Sequence, residues 1–163
     1  MFKTLAAAIV IGACTAAHAA EGTFAVKSRT PETALTAARA ALEQCRKDGY
    51  QVAVAVVDRA GITQVFLRDR FAGPHTVDVA VNKAWTAISF RQPTGTFAAE
   101  TQPGKPMSAL RNHPRVLAAG GGLLIEGGGS LFGGIGVSGG PGGDADDACA
   151  KAGLKAIADA VEF

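Results

Sequence analysis

The sequence predicts an α+β domain in which helices flank an antiparallel β-sheet. Helical and β-rich stretches follow one another in the order helix, hairpin, helix, irregular segment, hairpin, helix. Residues 120–143 hold 13 glycines, but apolar strand-like runs interrupt them, which indicates strands and a turn instead of a flexible linker. Together these observations favour one antiparallel sheet covered by helices.

The first helix and the first hairpin have clear boundaries. Thr30 is a suitable N-cap residue, Pro31 suits the first helical turn, and Gly49 suits the helix end. Residues 51–57 are β-rich and apolar on both faces, which is typical of a central strand. A turn then returns the chain as a second strand over residues 62–68.

A second helix is predicted from Pro74 to about Arg91. Its expected buried stripe is Val77, Val81, Ala84 and Ile88. Residues 94–115 are predicted to be irregular, apart from a short helix near residues 107–112.

The second hairpin lies inside the glycine-rich stretch. Residues 123–125 and 131–137 are the predicted strands, and residues 127–130 are the turn between them. Asp144 then opens the last helix, whose expected inner face is Cys149, Ala152, Ala156, Ile157 and Ala160.

The first 19 residues have the pattern of a secretory signal peptide. A short positive start precedes the apolar run of residues 5–13, and Ala17 and Ala19 are the small residues that a signal peptidase reads. Cleavage near Ala19 predicts a periplasmic or secreted protein. A lipoprotein signal with acylation of Cys14 is the less favoured alternative. Residues 20–29 would then be an N-terminal extension and residues 30–163 the folded domain.

The charge balance argues against nucleic-acid binding. The chain has 16 Lys and Arg against 14 Asp and Glu, and removal of Lys3 with the signal leaves a single positive charge. A nucleic-acid-binding protein needs a basic excess to displace counterions. No segment after the signal is long and apolar enough to cross a membrane.

Two cysteines remain if Cys14 is removed. Cys45 and Cys149 are 104 residues apart and each falls on the apolar face of a predicted helix. This spacing does not resemble a metal site or a redox pair. In an oxidising compartment the pair favours a disulfide between the first and last helices. Two buried free thiols are the alternative.

Residues 134–139 match the dinucleotide-binding pattern G-x-G-x-x-G, but the context does not fit. The pattern runs through a predicted strand, and the helix that follows begins with aspartates that would repel a phosphate. The glycines are better explained by close approach of backbone from another element.

Several motifs, taken in order, resemble those of the GlcG/HbpS-like family of haem-binding proteins, which includes a domain attached to some corrinoid adenosyltransferases. The resemblance covers nearly all of residues 30–163 and is carried by Val57-Asp58-Arg59-Ala60-Gly61, Arg68-Asp69, Val81-Asn82-Lys83-Ala84, Thr86-Ala87, Gly120-Gly121-Gly122-Leu123-Leu124-Ile125, Gly134-Ile135-Gly136-Val137-Ser138-Gly139 and Asp146-Asp147-Ala148-Cys149-Ala150. It implies an antiparallel sheet flanked by helices, ring-like homo-oligomers, and binding of haem or a related tetrapyrrole. Haem degradation or iron release is ascribed to some members.

One loop departs from the family pattern. After Arg68-Asp69 the family usually continues with Gly-Ala and small residues, whereas this chain reads Arg70-Phe71-Ala72-Gly73-Pro74-His75. The binding loop, and with it the ligand, is therefore expected to differ.

Haem needs an apolar slot, cations for its propionates and usually an axial ligand. His75, in the first turn of the second helix, is the first candidate ligand, and Asp78 on the same face could orient its ring. His113 is the second candidate, with Met107, Thr76 or Thr86 as alternatives. The propionate candidates are Arg68, Lys83, Lys105 and Arg111, and the aromatic residues that could pack on the ring are Trp85 and Phe90. Each of these residues can equally be a surface charge or part of the core.

The favoured function is an exported haem-binding protein acting as a carrier, buffer or sensor. An enzyme that degrades haem or acts on a small metabolite is an alternative, although no catalytic set of side chains stands out. A structural or partner-binding oligomeric module is a further alternative.

Overall fold

The computed structural model describes residues 22–162, so the predicted signal peptide and Cys14 lie outside the described part. The elements in chain order are α1 (Pro31–Lys47), β1 (Ala53–Asp58), β2 (Thr63–Arg68), α2 (Thr76–Phe90), α3 (Thr94–Glu100), a 3₁₀ helix (Ser108–Asn112), β3 (Gly122–Gly127), β4 (Ser130–Ser138), α4 (Gly143–Lys155) and α5 (Ala158–Val161).

The four strands form one antiparallel sheet in the order β2-β1-β4-β3. Both predicted hairpins are present, and β1 pairs with β4 between them, from Ala53 opposite Ser138 to Asp58 opposite Gly133. Asp58 closes the first turn by accepting hydrogen bonds from the backbone N–H groups of Ala60 and Ile62. The predicted α+β class is therefore confirmed, with β2 and β3 as the two edge strands.

Helices α1 and α4 cover one face of the sheet, which we call the α1–α4 face. Valines of β1 and the side chains of Ile135 and Val137 on β4 are buried beneath these helices. The predicted disulfide joins Cys45 to Cys149, with their Cα atoms 5.4 Å apart. The disulfide links α1 to α4. The predicted last helix is divided in the structure, because α4 ends at Lys155 and the separate short helix α5 follows.

Helix α2 covers the opposite face, which we call the α2 face. A Cβ atom on Gly136 would lie 2.0 Å from the carbonyl oxygen of Ala80, and one on Gly134 would lie 2.9 Å from that of Ala84. The helix backbone therefore rests directly on the glycines of β4, as the interpretation of residues 134–139 required.

The predicted buried stripe of α2 is wrong at its first half. Val77 is exposed and Val81 is only half-buried, whereas Ala80, Ala84 and Ala87 are fully buried. Small side chains face the sheet because the helix lies so close to it. Val81 instead packs, together with Phe66 of β2, against the buried cluster of Ala53, Ala55 and Ala80.

The prediction of an irregular segment after α2 is also wrong in part. Residues 94–100 form α3, and Phe97 is buried against Phe90 with ring centroids 4.4 Å apart. The short helix predicted near residues 107–112 is present. Helix α3 was not predicted because its seven residues are too few for a helical periodicity to stand out in the sequence.

The N-terminal extension is anchored by a buried arginine. Arg29 Nη2 donates to the carbonyl of Val57 and to Gln64 Oε1, each at 2.8 Å. Burial lowers the pKa of Arg29 to about 10.

Among residues 22–162, no helix has the length and apolar character that a membrane crossing requires.

Candidate functional site

Residues 68–77 connect β2 to α2 and present an unusual set of exposed side chains. Phe71 is 78% exposed and Val77 is 37% exposed. Arg68, Arg70 and His75 are exposed beside them. We call this set the 68–77 surface. It combines apolar groups, cations and an imidazole, which are the groups that a tetrapyrrole requires.

The backbone beneath this surface is held by a buried carboxylate. Asp69 accepts two hydrogen bonds from Arg46 of α1, at 2.7 and 2.9 Å, and a third from the backbone N–H of Arg70. The hydrogen bonds from Arg46 hold the pKa of the Asp69 carboxyl below its ordinary value, against the opposing effect of burial. Further bonds join Asp69 N–H to Val52 O and Thr76 Oγ1 to Gly73 O. The loop is therefore fixed before any ligand arrives.

His75 stands at the N-cap position of α2 without a capping hydrogen bond from its side chain. Its ring lies over Gly73, where an added Cβ would be 2.7 Å from Cε1 and 2.8 Å from Nδ1. Gly73 thus leaves room for the imidazole. An exposed ring with this freedom can turn toward a metal on the protein surface.

His113 is in a different situation. Its ring stacks on Trp85 at a centroid distance of 5.3 Å, and Arg115 covers the same indole at 4.6 Å. His113 Nδ1 accepts a hydrogen bond from the backbone N–H of Arg115, so in the neutral ring Nε2 carries the proton. Coordination of a metal by Nε2 would require the proton to move to Nδ1 and would break this hydrogen bond, which favours His75 over His113.

Lys83 and Thr86 are buried and already have internal partners. Lys83 Nζ donates to Asp146 Oδ2 at 2.6 Å and to Val137 O at 3.0 Å. Thr86 Oγ1 accepts from the backbone N–H of Leu117 at 3.0 Å. These contacts tie α2 to neighbouring segments, and contact of either residue with a ligand stays a prediction.

The two arginines in the candidate set lie apart. Arg68 Nη2 donates to the carbonyl of Ala72, within the 68–77 surface. Arg111 donates to the carbonyls of Thr101 and Ala98 at the end of α3, and α3 packs near β3, the opposite edge strand. Arg68 and His75 therefore lie on the same connecting segment between β2 and α2, and Arg111 lies on a different part of the protein.

Three surface cavities lie elsewhere on the protein. Their volumes are about 350, 470 and 500 Å³. The first lies between β3 and the α4–α5 helices, the second beside the β3–β4 turn, and the third beside Arg111 and Thr101. Within residues 22–162 no cluster of three or more His, Cys, Asp or Glu side chains could hold a metal ion. None of these three cavities is lined by residues 68–77, and Phe71 and His75 are exposed.

Sequence reasoning did not include four residues of this region in the candidate site. Arg46 and Asp69 form the ion pair that fixes the loop, and Phe71 and Arg70 add an exposed ring and cation. An aromatic residue directly after the charged run Arg68-Asp69-Arg70 was the available signal for Phe71. The Arg46–Asp69 pair joins residues 23 positions apart, and such a pair has no local signature.

Comparison with known proteins gives consistent matches over the whole domain. The sequence model of the HbpS-like family, described as "Haem degrading protein HbpS-like", matches residues 30–155. The structure of a double mutant of Streptomyces reticuli HbpS is similar with a TM-score of 0.79 and 39% identity, covering 93% of this chain and 98% of that chain.

Two further relatives come from the PduO proteins. A PduOC–haem complex has a TM-score of 0.77 and 30% identity, covering 80% of this chain and 96% of that chain. The corrinoid adenosyltransferase PduO of Salmonella typhimurium is 33% identical over 132 residues, which are 80% of this chain and 39% of PduO. The chain thus spans about two fifths of the length of PduO.

Proposed function

Since the chain belongs to the HbpS-like family, we propose that it binds haem or a related tetrapyrrole on the 68–77 surface. The observation that carries this proposal is the exposure of His75, Phe71 and Arg68 together on a loop that Asp69 holds in place. A relative of 30% identity has been solved as a haem complex, which supports the same ligand class here.

Each group on this surface has a distinct part in binding. His75 would supply the axial nitrogen, Phe71 and Val77 would cover part of the apolar ring, and Arg68 and Arg70 would pair with the propionates. The bound group would bring a redox-active iron that the polypeptide itself lacks. Because the loop is fixed in advance, little ordering would oppose binding.

The proposal includes export and a role as a carrier, buffer or sensor. The signal-like pattern of residues 1–19 supports export. The Cys45–Cys149 disulfide is in keeping with an oxidising compartment. An open binding surface is better suited to a protein that transfers its ligand to another protein than to a protein that encloses its ligand.

Titration of haemin into the mature protein, followed by visible spectroscopy, tests the proposal. We expect a shifted Soret band for the wild type and for His113→Ala, and loss of that shift for His75→Ala. His113→Ala is the matched control because it removes the other imidazole of the described domain. Absence of a shift in the wild type, or a shift that survives in His75→Ala and disappears in His113→Ala, would overturn the proposal.

Haem degradation is a second candidate, favoured by the description of the family. The same samples distinguish it. With a reductant and oxygen present, a degrading enzyme loses Soret absorbance over time in a His75-dependent manner, whereas a carrier protein keeps a stable spectrum.

A further inference from the structure

The first of the three cavities lies beside β3, an edge strand of the sheet, and has a volume of about 350 Å³. We call it the β3 cavity. The apolar part of its wall comes from β3 and from the α4–α5 region, namely Leu124, Ile125, Leu154, Ile157, Ala158 and Val161. A concave, mostly apolar surface of this size is typical of a binding site. The proposed function makes no use of it.

The backbone of β3 beside this cavity turns some of its hydrogen-bonding groups out of the sheet. Val137 N–H donates to Gly121 O, so in this antiparallel register Leu123 and Ile125 exchange hydrogen bonds with β4. The N–H and C=O groups of Leu124 therefore point away from β4, and Leu124 also lines the β3 cavity. An edge of this kind can accept an extended segment as an added strand.

The N-terminal extension carries apolar groups that suit such a site. Residues 22–28, which we call the arm, are all exposed, with Phe24 at 87% and Val26 at 46%. The buried Arg29 anchors the end of the arm. In an extended segment, residues two positions apart face the same side, so Phe24 and Val26 would form one apolar side of an added strand. Both residue types favour strands.

The arm does not fill the β3 cavity of its own chain. Phe24 is almost fully exposed, and no residue of the arm lines the cavity. A single chain thus presents both an apolar segment without cover and an apolar cavity without an occupant. A second copy supplies what each of them lacks.

The charges of the arm and the cavity are opposite in sign. The cavity is lined by the carboxylates of Glu126 and Glu162 and by the ammonium group of Lys155, which leaves a negative balance. Lys27 is the charged residue of the arm. Opposite charges steer two surfaces together and orient them.

From these observations we propose that the arm of one copy binds in the β3 cavity of a second copy. Phe24 enters the cavity, and the backbone of the arm pairs with Leu124 at the edge of β3. Each copy carries both the arm and the cavity, so two copies can make the contact reciprocally. This inference does not depend on the proposed function, because it uses no residue of the 68–77 surface.

Photo-crosslinking of the mature protein, without haemin, tests the contact. Replacement of Phe24 by p-benzoylphenylalanine keeps an aromatic ring in the arm and attaches it to its neighbours on illumination. This variant is refolded from urea together with wild-type protein labelled with a heavy nitrogen isotope, so mass spectrometry separates crosslinks between copies from crosslinks within one chain. We expect crosslinks to labelled peptides from β3 or residues 154–162. The same group at Ile62, an exposed apolar position outside the arm, should give about tenfold fewer.

Substitutions in the cavity provide a matched pair. Ala158→Arg places a long cation in the cavity and should lower the crosslink yield about fivefold or more, because it fills the space and repels a basic arm. Ala156→Arg, at an exposed position that does not line the cavity, should leave the yield unchanged. Equal yields from the two variants would contradict binding in this cavity.

Two further outcomes of the crosslinking would overturn the proposal. Crosslinks confined to the unlabelled chain would mean that the arm folds back onto its own copy. Crosslinks to other surfaces, or none above the level obtained at Ile62, would mean that the β3 cavity does not receive the arm. Because haemin is absent throughout, neither outcome affects the proposed function.

Discussion

The two faces of the sheet are built on different principles. On the α1–α4 face, valines and isoleucines fill the space beneath two helices that a disulfide joins. On the α2 face, glycines and alanines bring a helix backbone directly onto β4. The first arrangement buries large side chains in the core. The second leaves Val77 and Val81 on the outside, next to the loop that carries His75.

We expect stability to depend chiefly on the α1–α4 face, and the proposed ligand binding to depend on the α2 face. Two ion pairs join the faces in the described part of the chain. Arg46 of α1 pairs with Asp69 of the 68–77 loop, and Lys83 of α2 pairs with Asp146 of α4. Substitutions in the core of the α1–α4 face should change unfolding and leave haem binding alone. Substitutions at the Arg46–Asp69 pair should change both.

Removal of the disulfide is expected to have the largest effect on stability. The double variant Cys45→Ala, Cys149→Ala opens a loop of 104 residues. Loop-closure entropy then predicts a loss in the free energy of unfolding on the order of 4 kcal/mol. Urea denaturation measures it, and the wild type under reducing conditions should give the same value. Haemin affinity should stay within about twofold, and a larger fall would show that the α1–α4 face also shapes the site.

Gly136→Val tests the α2 face. The added Cβ would lie 2.0 Å from the carbonyl oxygen of Ala80, so the helix has to move away from the sheet. We expect a loss of about 3 kcal/mol in the free energy of unfolding, by the cost of overpacking. Gly142→Ala is the control, since a Cβ there has no neighbour within 4 Å and Gly142 has an extended backbone. Equal effects of the two substitutions would contradict direct backbone contact.

The order of elements could be predicted from the sequence because its signals are local. Thr30-Pro31, the turn at Asp58 and the glycine turn of residues 127–130 all act within a few positions. The disulfide could be predicted because only Cys45 and Cys149 remain once Cys14 is removed, each on the apolar face of a predicted helix. The residues of α2 that face the sheet could not be predicted in this way. A hydropathy pattern assigns Val77 to the core. Which residues actually face the sheet depends on how closely β4 allows the helix to approach.

The sequence could propose His75 and Arg68 because an imidazole at a helix start and a nearby cation are visible in it. Contact of either residue with a ligand stays a prediction. Lys83 and Thr86 share that helix, but their side chains lie on its buried side. Which way a helical side chain points depends on tertiary packing. The ion pair between Asp69 and Arg46 also depends on tertiary packing, so the sequence alone could not predict it.

Asp69→Asn, with the smallest expected effect on stability, tests the link between the two faces. Because hydrogen bonds to a charged group stabilise a protein more than neutral ones, we expect Asp69→Asn to lower the free energy of unfolding by about 1–2 kcal/mol near neutral pH. Haemin affinity should fall as well, because the loop that presents His75 is no longer held. Glu100→Gln, which removes an exposed carboxylate on α3, is the control and should change neither quantity.

The pH dependence gives Asp69→Asn a signature that a general loss of packing lacks. The pKa of Asp69 is lower in the folded protein than in the unfolded chain, chiefly because Arg46 donates hydrogen bonds to the carboxylate. The unfolded chain therefore binds the proton more readily, and the stabilisation is complete above about pH 4, the ordinary pKa of aspartate. It is lost as the pH falls through the lowered pKa of the folded state. The difference between wild type and Asp69→Asn, measured by urea denaturation across this range, should stay constant from neutral pH downward and then shrink in acid. A difference that grows in acid would mean that the ion pair does not hold the loop.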